Sequence, residues 1–252
     1  LISGALDIQD DIIDQTKTKH GRPTVYGKYG KEIAILTADA LLFEGFTLLH
    51  EAYTQIHKEK AQKIMKTIKN MFYELGDAEA LELNLRGRID IKPKEYLRII
   101  RKKAADVEAH ARIAAMLGNA SKWKIKSLGF YGRLLGMLII IRDDLEDTIV
   151  TRELKHRINK EHLPLPLIYS ITEKDSSFFK RILEEKMVSK DKLEILKEKI
   201  EQNKGFERTF SLMMKISKAA LSQIRFLSNE NYSQLYNLLR SLFYLTPWLK
   251  KE

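Results

Sequence analysis

Apolar residues return along most of this chain at helical intervals, and no stretch makes a convincing strand. Leu6, Ile8, Ile12 and Ile13 build the first helix for burial. Residues 15–30 then break the periodicity with Gly21, Pro23, Gly27 and Gly30, so they are expected to form a loop. From 31 to 53, residues such as Ile33, Ile35, Leu36, Leu41, Phe43 and Phe46 make a helix that is apolar almost all round, which belongs in a core or an interface. Helix continues over 59–85, and Pro93 opens the next one at the first turn, where proline is tolerated. The inner stripe of that helix is Tyr96, Ile99, Ile100, Val107, Ala111 and Ala114. There follow a helix at 124–148, a connection through 152–162 and an element opening at Leu163-Pro164-Leu165-Pro166-Leu167. Beyond Asp175, three to five helices are predicted, at 176–186, 189–203, 205–226 and 231–245. The expected class is all-α.

With 252 residues, 44% of them hydrophobic, the chain is long enough to bury one large core, and a single domain over 1–252 is expected. No run of about 18 uninterrupted apolar residues occurs, so no membrane span is predicted. Nothing at the start resembles a signal peptide, and a cytoplasmic protein is expected. Cysteine is absent, which removes disulfides, thiolate metal sites and a cysteine nucleophile. The chain opens on Leu1, so the first acidic helix stands at its very edge. The formal charge of +10 attracts anions in general, but Lys, Arg and Glu are interspersed as on a solvated helix surface. No sequence motif for nucleic acid accompanies the charge.

The candidate chemistry lies in two acidic clusters. Asp7, Asp10, Asp11 and Asp14 stand three and four residues apart, so a helix places them on one face. Like charges so arranged repel unless a cation sits between them, and burial makes the row costlier still. A second apolar helix ends in the same spacing, at Asp143-Asp144-Leu145-Glu146-Asp147. Carboxylates at a helix C-terminus oppose the helix dipole and again call for cations. Mg²⁺ is typically held by one or two carboxylates together with phosphate oxygens, so two such faces suit a diphosphate bridged by several ions. A diphosphate so held is a good leaving group, and apolar helix walls keep water from the carbocation left behind. In the loop, Lys19, His20 and Arg22 either neutralise such an anion or belong to a solvated turn. Lys103 lies on the inner stripe and either meets an anion or packs its stem and sends the ammonium outward. Asp39, alone in an apolar helix, is expected to be a structural hydrogen-bonding group.

Both motifs, Asp10-Asp11-Ile12-Ile13-Asp14 and Asp143-Asp144-Leu145-Glu146-Asp147, resemble those of the trans-isoprenyl diphosphate synthases, or polyprenyl synthetases. Gly21-Arg22-Pro23-Thr24, Ala38-Asp39-Ala40-Leu41, Lys103, Tyr131-Gly132, Leu135-Gly136 and Leu165-Pro166-Leu167 extend the likeness from Leu1 to about residue 169. The resemblance implies an isoprenoid-synthase-type helical bundle around a deep central cavity, usually homodimeric, and here without the usual N-terminal helices. It implies Mg²⁺-dependent elongation of an allylic diphosphate by isopentenyl diphosphate. Asp10, Asp11 and Asp14 would hold the allylic diphosphate through Mg²⁺, as would Asp143 with Asp144 and Asp147, and Lys103 would contact it. Ala5 and Leu6 occupy tunnel-lining positions where aromatic residues stop growth, so a product of C20 or longer is expected.

This chain also departs from the family pattern. Gln9 replaces a His, Lys19-His20 an Arg-Arg pair, Ala104 a Thr, and Ile139-Ile140 a Phe-Gln pair. A shorter segment at 155–162 stands where the family has Gly-Lys stretches. These changes suggest two alternatives, a catalytically weakened or regulatory subunit and a class I terpene-cyclase-like enzyme. The second motif favours the synthase.

Overall fold

Small residues set the architecture by letting helices approach one another closely. The computed structural model describes residues 1–19, 21–185 and 188–244. By internal contacts it divides into two compact units, Leu1–Lys66 and Thr67–Glu252.

In the first unit, helix α1 (Ile2–Ile13) buries Ala5, Ile8 and Asp11 along one face. Ile8 packs with Ala34 and Ala38 of α3 (Lys31–Tyr53), with Ile12, Val25, Tyr26 and Leu41 around them. Between these helices the expected loop contains more order than periodicity reveals. Strands β1 (Thr18–Lys19) and β2 (Arg22–Pro23) pair antiparallel, turning at Gly21 with φ of 73°. Two residues per strand carry no alternation, so the hairpin is silent in the hydrophobic pattern. Helix α2 (Val25–Tyr29) follows, with the Thr24 side chain accepting from the Gly27 N–H at 2.9 Å.

Helix α3 buries only Ala34, Ala38 and Gly45. Leu36 is 65% and Phe43 76% exposed, alongside Ile33, Phe46 and Leu48. By length and composition α3 could cross a membrane, a property that the count of uninterrupted apolar residues does not detect. Asp39 and Glu44 near its middle argue against lipid, where an ionisable group is costly. Asp39 itself is exposed.

Helix α4 (Lys58–Leu83) leads into the second unit. There the long α7 (Lys122–Ile149) is central, burying Leu134, Leu135, Leu138, Ile141 and Leu145 on the face shared with its neighbours. The helix expected from Pro93 is two: α5 (Pro93–Lys103) and α6 (Ala105–Leu117), separated by a break at Ala104. The break turns the inner stripe, so Ala105, Ala109 and Ala115 are buried and Ala114 is exposed. Gly132 and Gly136 of α7 make room for this segment. A Cβ on Gly132 would lie 2.6 Å from the Val107 carbonyl oxygen, and one on Gly136 2.8 Å from the Ala104 Cβ.

The expected connection at 152–162 is largely helix α8 (Thr151–Lys160). After it come α9 (Leu165–Ser170), a 3₁₀ turn, α10 (Ser176–Leu183), α11 (Lys190–Gln202), α12 (Gly205–Gln223) and α13 (Asn229–Ser241). The all-α expectation holds, with β1 and β2 the only strands among the described residues.

Gly132→Ala forces the α6–α7 contact apart and is expected to lower unfolding free energy by about 1–3 kcal/mol. Gly76→Ala, in open space on α4, is expected to raise it by roughly 0.5–1 kcal/mol. Urea unfolding of both variants checks the pair.

Candidate functional site

In the first unit, the hairpin folds a lysine onto the acidic face of α1. The Lys19 ammonium lies 2.8 Å from Asp11 Oδ1 and 3.8 Å from Asp10 Oδ2. It supplies the positive charge that the aspartate row requires. Burial raises the Asp11 carboxyl above its ordinary value, with Lys19 opposing the shift. Burial would lower the Lys19 ammonium, but Asp11, Asp10 and Asp7 hold it above its usual value.

The Gly-Arg-Pro-Thr segment fixes this geometry through the backbone. Thr24 donates its hydroxyl to the Thr16 carbonyl at 2.8 Å, and its N–H to the Lys17 carbonyl at 3.0 Å. The Thr16 N–H donates to the Asp11 carbonyl at 2.8 Å. Gly27 lies so close against the Lys17 backbone that a Cβ there would collide with it. Arg22 is exposed on β2, and His20 lies outside the described residues. Ala5 is fully buried and Leu6 half-buried one turn before the acids.

In the second unit, the acids of the second motif have unequal surroundings. Asp143 is exposed at the end of α7, whereas Asp144 is 1% exposed and bound on both oxygens. Its Oδ2 accepts from the Tyr96 hydroxyl at 2.8 Å and from the Leu165 N–H at 3.0 Å. Its Oδ1 accepts from the Arg157 guanidinium at 2.6 Å. The Leu-Pro-Leu-Pro-Leu segment thereby gains a purpose, because the first N–H of α9 needs an acceptor and a carboxylate suits a helix N-terminus. These contacts hold Asp144 in place at the end of α7.

Arg157 projects from α8 into this cluster, 2.7 Å from Glu161 and 3.9 Å from Asp147. Burial would lower its guanidinium, but Asp144 and Glu161 hold it well above the ordinary value. Burial pushes the Asp147 carboxyl up to about 7, Arg157 opposes this, and Asp144, Glu161 and Asp143 add to the rise. Glu161 is held down to about 2: burial would raise it, but Arg157 and His156 outweigh that.

Lys103 does turn inward at the end of α5, and the anions it meets are carboxylates. Its ammonium lies 2.5 Å from Glu82 Oε2 and 3.1 Å from Glu79 Oε1. The other Glu82 oxygen pairs with His162 Nε2. Glu82, Tyr96, Arg157, Glu161 and His162 were not predicted as site residues. Glu79 and Glu82, one turn apart, were the available hint, together with the inward Lys103.

Among the described residues, no three His, Asp or Glu side chains converge as a ready ion cage. Asp10 and Asp14, half-buried one turn apart, and exposed Asp143 offer oxygen donors of the kind that suits Mg²⁺. They fit the metal as single carboxylates completed by other oxygens.

A family model described as polyprenyl synthetase matches residues 2–200. The geranylgeranyl diphosphate synthase of Sulfolobus acidocaldarius is 34% identical over 139 residues, covering 55% of this chain and 42% of that protein. The enzyme of the same name from Methanosarcina mazei is 29% identical over 157 residues, covering 62% of this chain and 48% of that protein. The chain thus spans about half the length of these relatives. Among solved structures, geranylgeranyl pyrophosphate synthetase from Pyrococcus horikoshii Ot3 superposes with a TM-score of 0.85 at 24% identity, covering 97% of this chain and 78% of that one.

The Glu161 shift has a defined sign in stability. The folded value is depressed below the ordinary 4.5 of a glutamate, so the contribution is present above about 4.5 and lost as pH falls toward about 2. Denaturant unfolding between pH 6 and 2.5 is expected to show this loss, and Glu161→Gln to flatten it.

Proposed function

The chain belongs to the polyprenyl synthetase family, and on that premise we propose that it is a cytoplasmic, Mg²⁺-dependent trans-prenyltransferase. In this reading it condenses isopentenyl diphosphate with an allylic diphosphate. The observation that carries it is the pair of Asp-Asp-x-x-Asp runs, each in the last turns of a helix within the matched span. That span includes residues of both compact units, which supports treating them as one functional domain.

The reaction separates into residue roles. The C–O bond of the allylic diphosphate breaks and its electron pair leaves with the diphosphate. The π pair of isopentenyl diphosphate closes the new C–C bond, and proton loss to the departed diphosphate restores a double bond. The product is five carbons longer. Mg²⁺, when bound, neutralises the charge that develops on the leaving group. Asp10, Asp14 and Asp143 are the residues assigned to hold it. Asp11 keeps Lys19 beside the first carboxylates, Asp144 anchors the end of α7, and Lys103 is assigned to the diphosphate. Ala104 and Ile139-Ile140 surround the carbocation with apolar groups.

The exposed apolar side of α3 supports a homodimer, because its carboxylates are unsuited to lipid whereas a second copy of the chain would cover Leu36 and Phe43. A catalytically weakened or regulatory subunit is the second reading, favoured by the pairing of Lys103 with Glu82.

Product analysis with the full chain, labelled isopentenyl diphosphate, allylic diphosphates of five, ten and fifteen carbons and Mg²⁺ tests the assignment. Mg²⁺-dependent elongation to C20 or longer is expected, with Asp10→Ala and Asp143→Ala each reducing turnover at least a hundredfold, on the order of an electrostatic catalytic contact. Wild-type protein that binds diphosphate without elongating it would favour the second reading. Ala5→Phe with Leu6→Phe is expected to shorten the product, and an unchanged product distribution from folded variant would refute the tunnel assignment.

A further inference from the structure

The second unit contains an ion-paired chain whose carboxylates have no part in the proposed reaction. Glu79 and Glu82 sit one turn apart near the end of α4, and Lys103 reaches both from the last turn of α5. The Lys103 side chain is 20% exposed and that of Glu82 13%. An anion approaching Lys103 therefore meets two carboxylates beside the ammonium.

Glu82 is fixed from its far side. Its second oxygen pairs with His162, which is 3% exposed. The Nδ1 of His162 lies 3.1 Å from the Leu163 carbonyl and 3.5 Å from Arg157, and its ring packs 5.0 Å from that of Tyr96. Burial would raise the Glu82 carboxyl, but His162 and Lys103 hold it well below the usual range. A carboxylate so held stays charged and in place, whereas the lysine has a flexible four-carbon stem. When the pair separates, the lysine is the partner that moves.

We propose that Glu82 is a positioning residue that holds Lys103 as an internal counter-anion, so that diphosphate binds through Lys103 only by displacing it from Glu82. This rests on the assignment of Lys103 to the diphosphate. Glu82 then limits affinity for diphosphate and helps release of the diphosphate product, since the lysine returns to a waiting carboxylate. Binding to a state that must first be opened is weakened by the fraction of that state. One charge-assisted contact sets the scale, at roughly tenfold to a hundredfold in affinity.

Calorimetric titration of the full chain with inorganic pyrophosphate and Mg²⁺ tests the proposal, using wild type, Glu82→Gln, Lys103→Met and the double variant. Glu82→Gln preserves side-chain shape, and circular dichroism reports whether it folds. The expected result is tenfold or greater tightening in Glu82→Gln, lost when Lys103→Met is added, and restoration of wild-type affinity by Glu82→Asp. Lys103→Met alone is expected to change affinity little. A merely structural Glu82 would not couple to Lys103 in this way. Unchanged or weaker binding in folded Glu82→Gln, with a large loss in Lys103→Met alone, overturns the proposal and leaves the Lys103 assignment standing. Binding indifferent to Lys103 in both backgrounds overturns that assignment and the proposal with it. Should Glu82→Gln fail to fold, Glu79→Gln removes the other carboxylate, and absence of tightening there overturns the proposal.

Discussion

Carboxylates crowded on a helix inside a packed protein must be given positive charge or hydrogen-bond donors, and much of the local structure around both acidic motifs follows from that need. On α1 the need is met by Lys19, brought onto the acid face by a two-residue ladder and a threonine-capped turn. At the end of α7 it is met by Arg157, the Tyr96 hydroxyl and the first N–H of α9. Each motif thus contains a structural acid beside more accessible ones. Asp11 and Asp144 are buried and paired within the protein, whereas Asp10, Asp14 and Asp143 are more accessible.

The packing that delivers these partners depends on small residues. The α7 helix can carry buried acids at its end because its middle is tightly held, with Gly132 and Gly136 admitting the α5–α6 segment. Ala104 sits at the break in that segment, against Gly136, and its position leaves little room for a polar group. The break turns α6 and leaves Lys103 as the last residue of α5, where its side chain meets Glu79 and Glu82. One local change in helix direction thereby decides both the core stripe and the company of the lysine.

In the proposed reaction, the charge arrangement also bears on turnover. A site that grips a multiply charged leaving group must later release it, and cations held in place by protein carboxylates moderate that grip. Lys19 and Lys103 are both in this condition.

Periodicity and motif spacing settled the helical class, the order of the main helices and the two acid faces, because each depends on residues within one or two turns of one another. The acids Asp10, Asp11, Asp14, Asp143, Asp144 and Asp147 were legible for that reason, as was the inward direction of Lys103. The sequence by itself also carried the family, through segments whose local reasons are now visible in Thr24, Gly27 and Leu165. Tertiary structure alone decided which acid meets which cation. Glu82 lies 21 residues from Lys103, and Asp144 lies 48 from Tyr96, 13 from Arg157 and 21 from Leu165, and no local pattern encodes such pairings. A charge pair is chosen by distance and dehydration after the helices have packed, so the chain specifies it only through the whole fold.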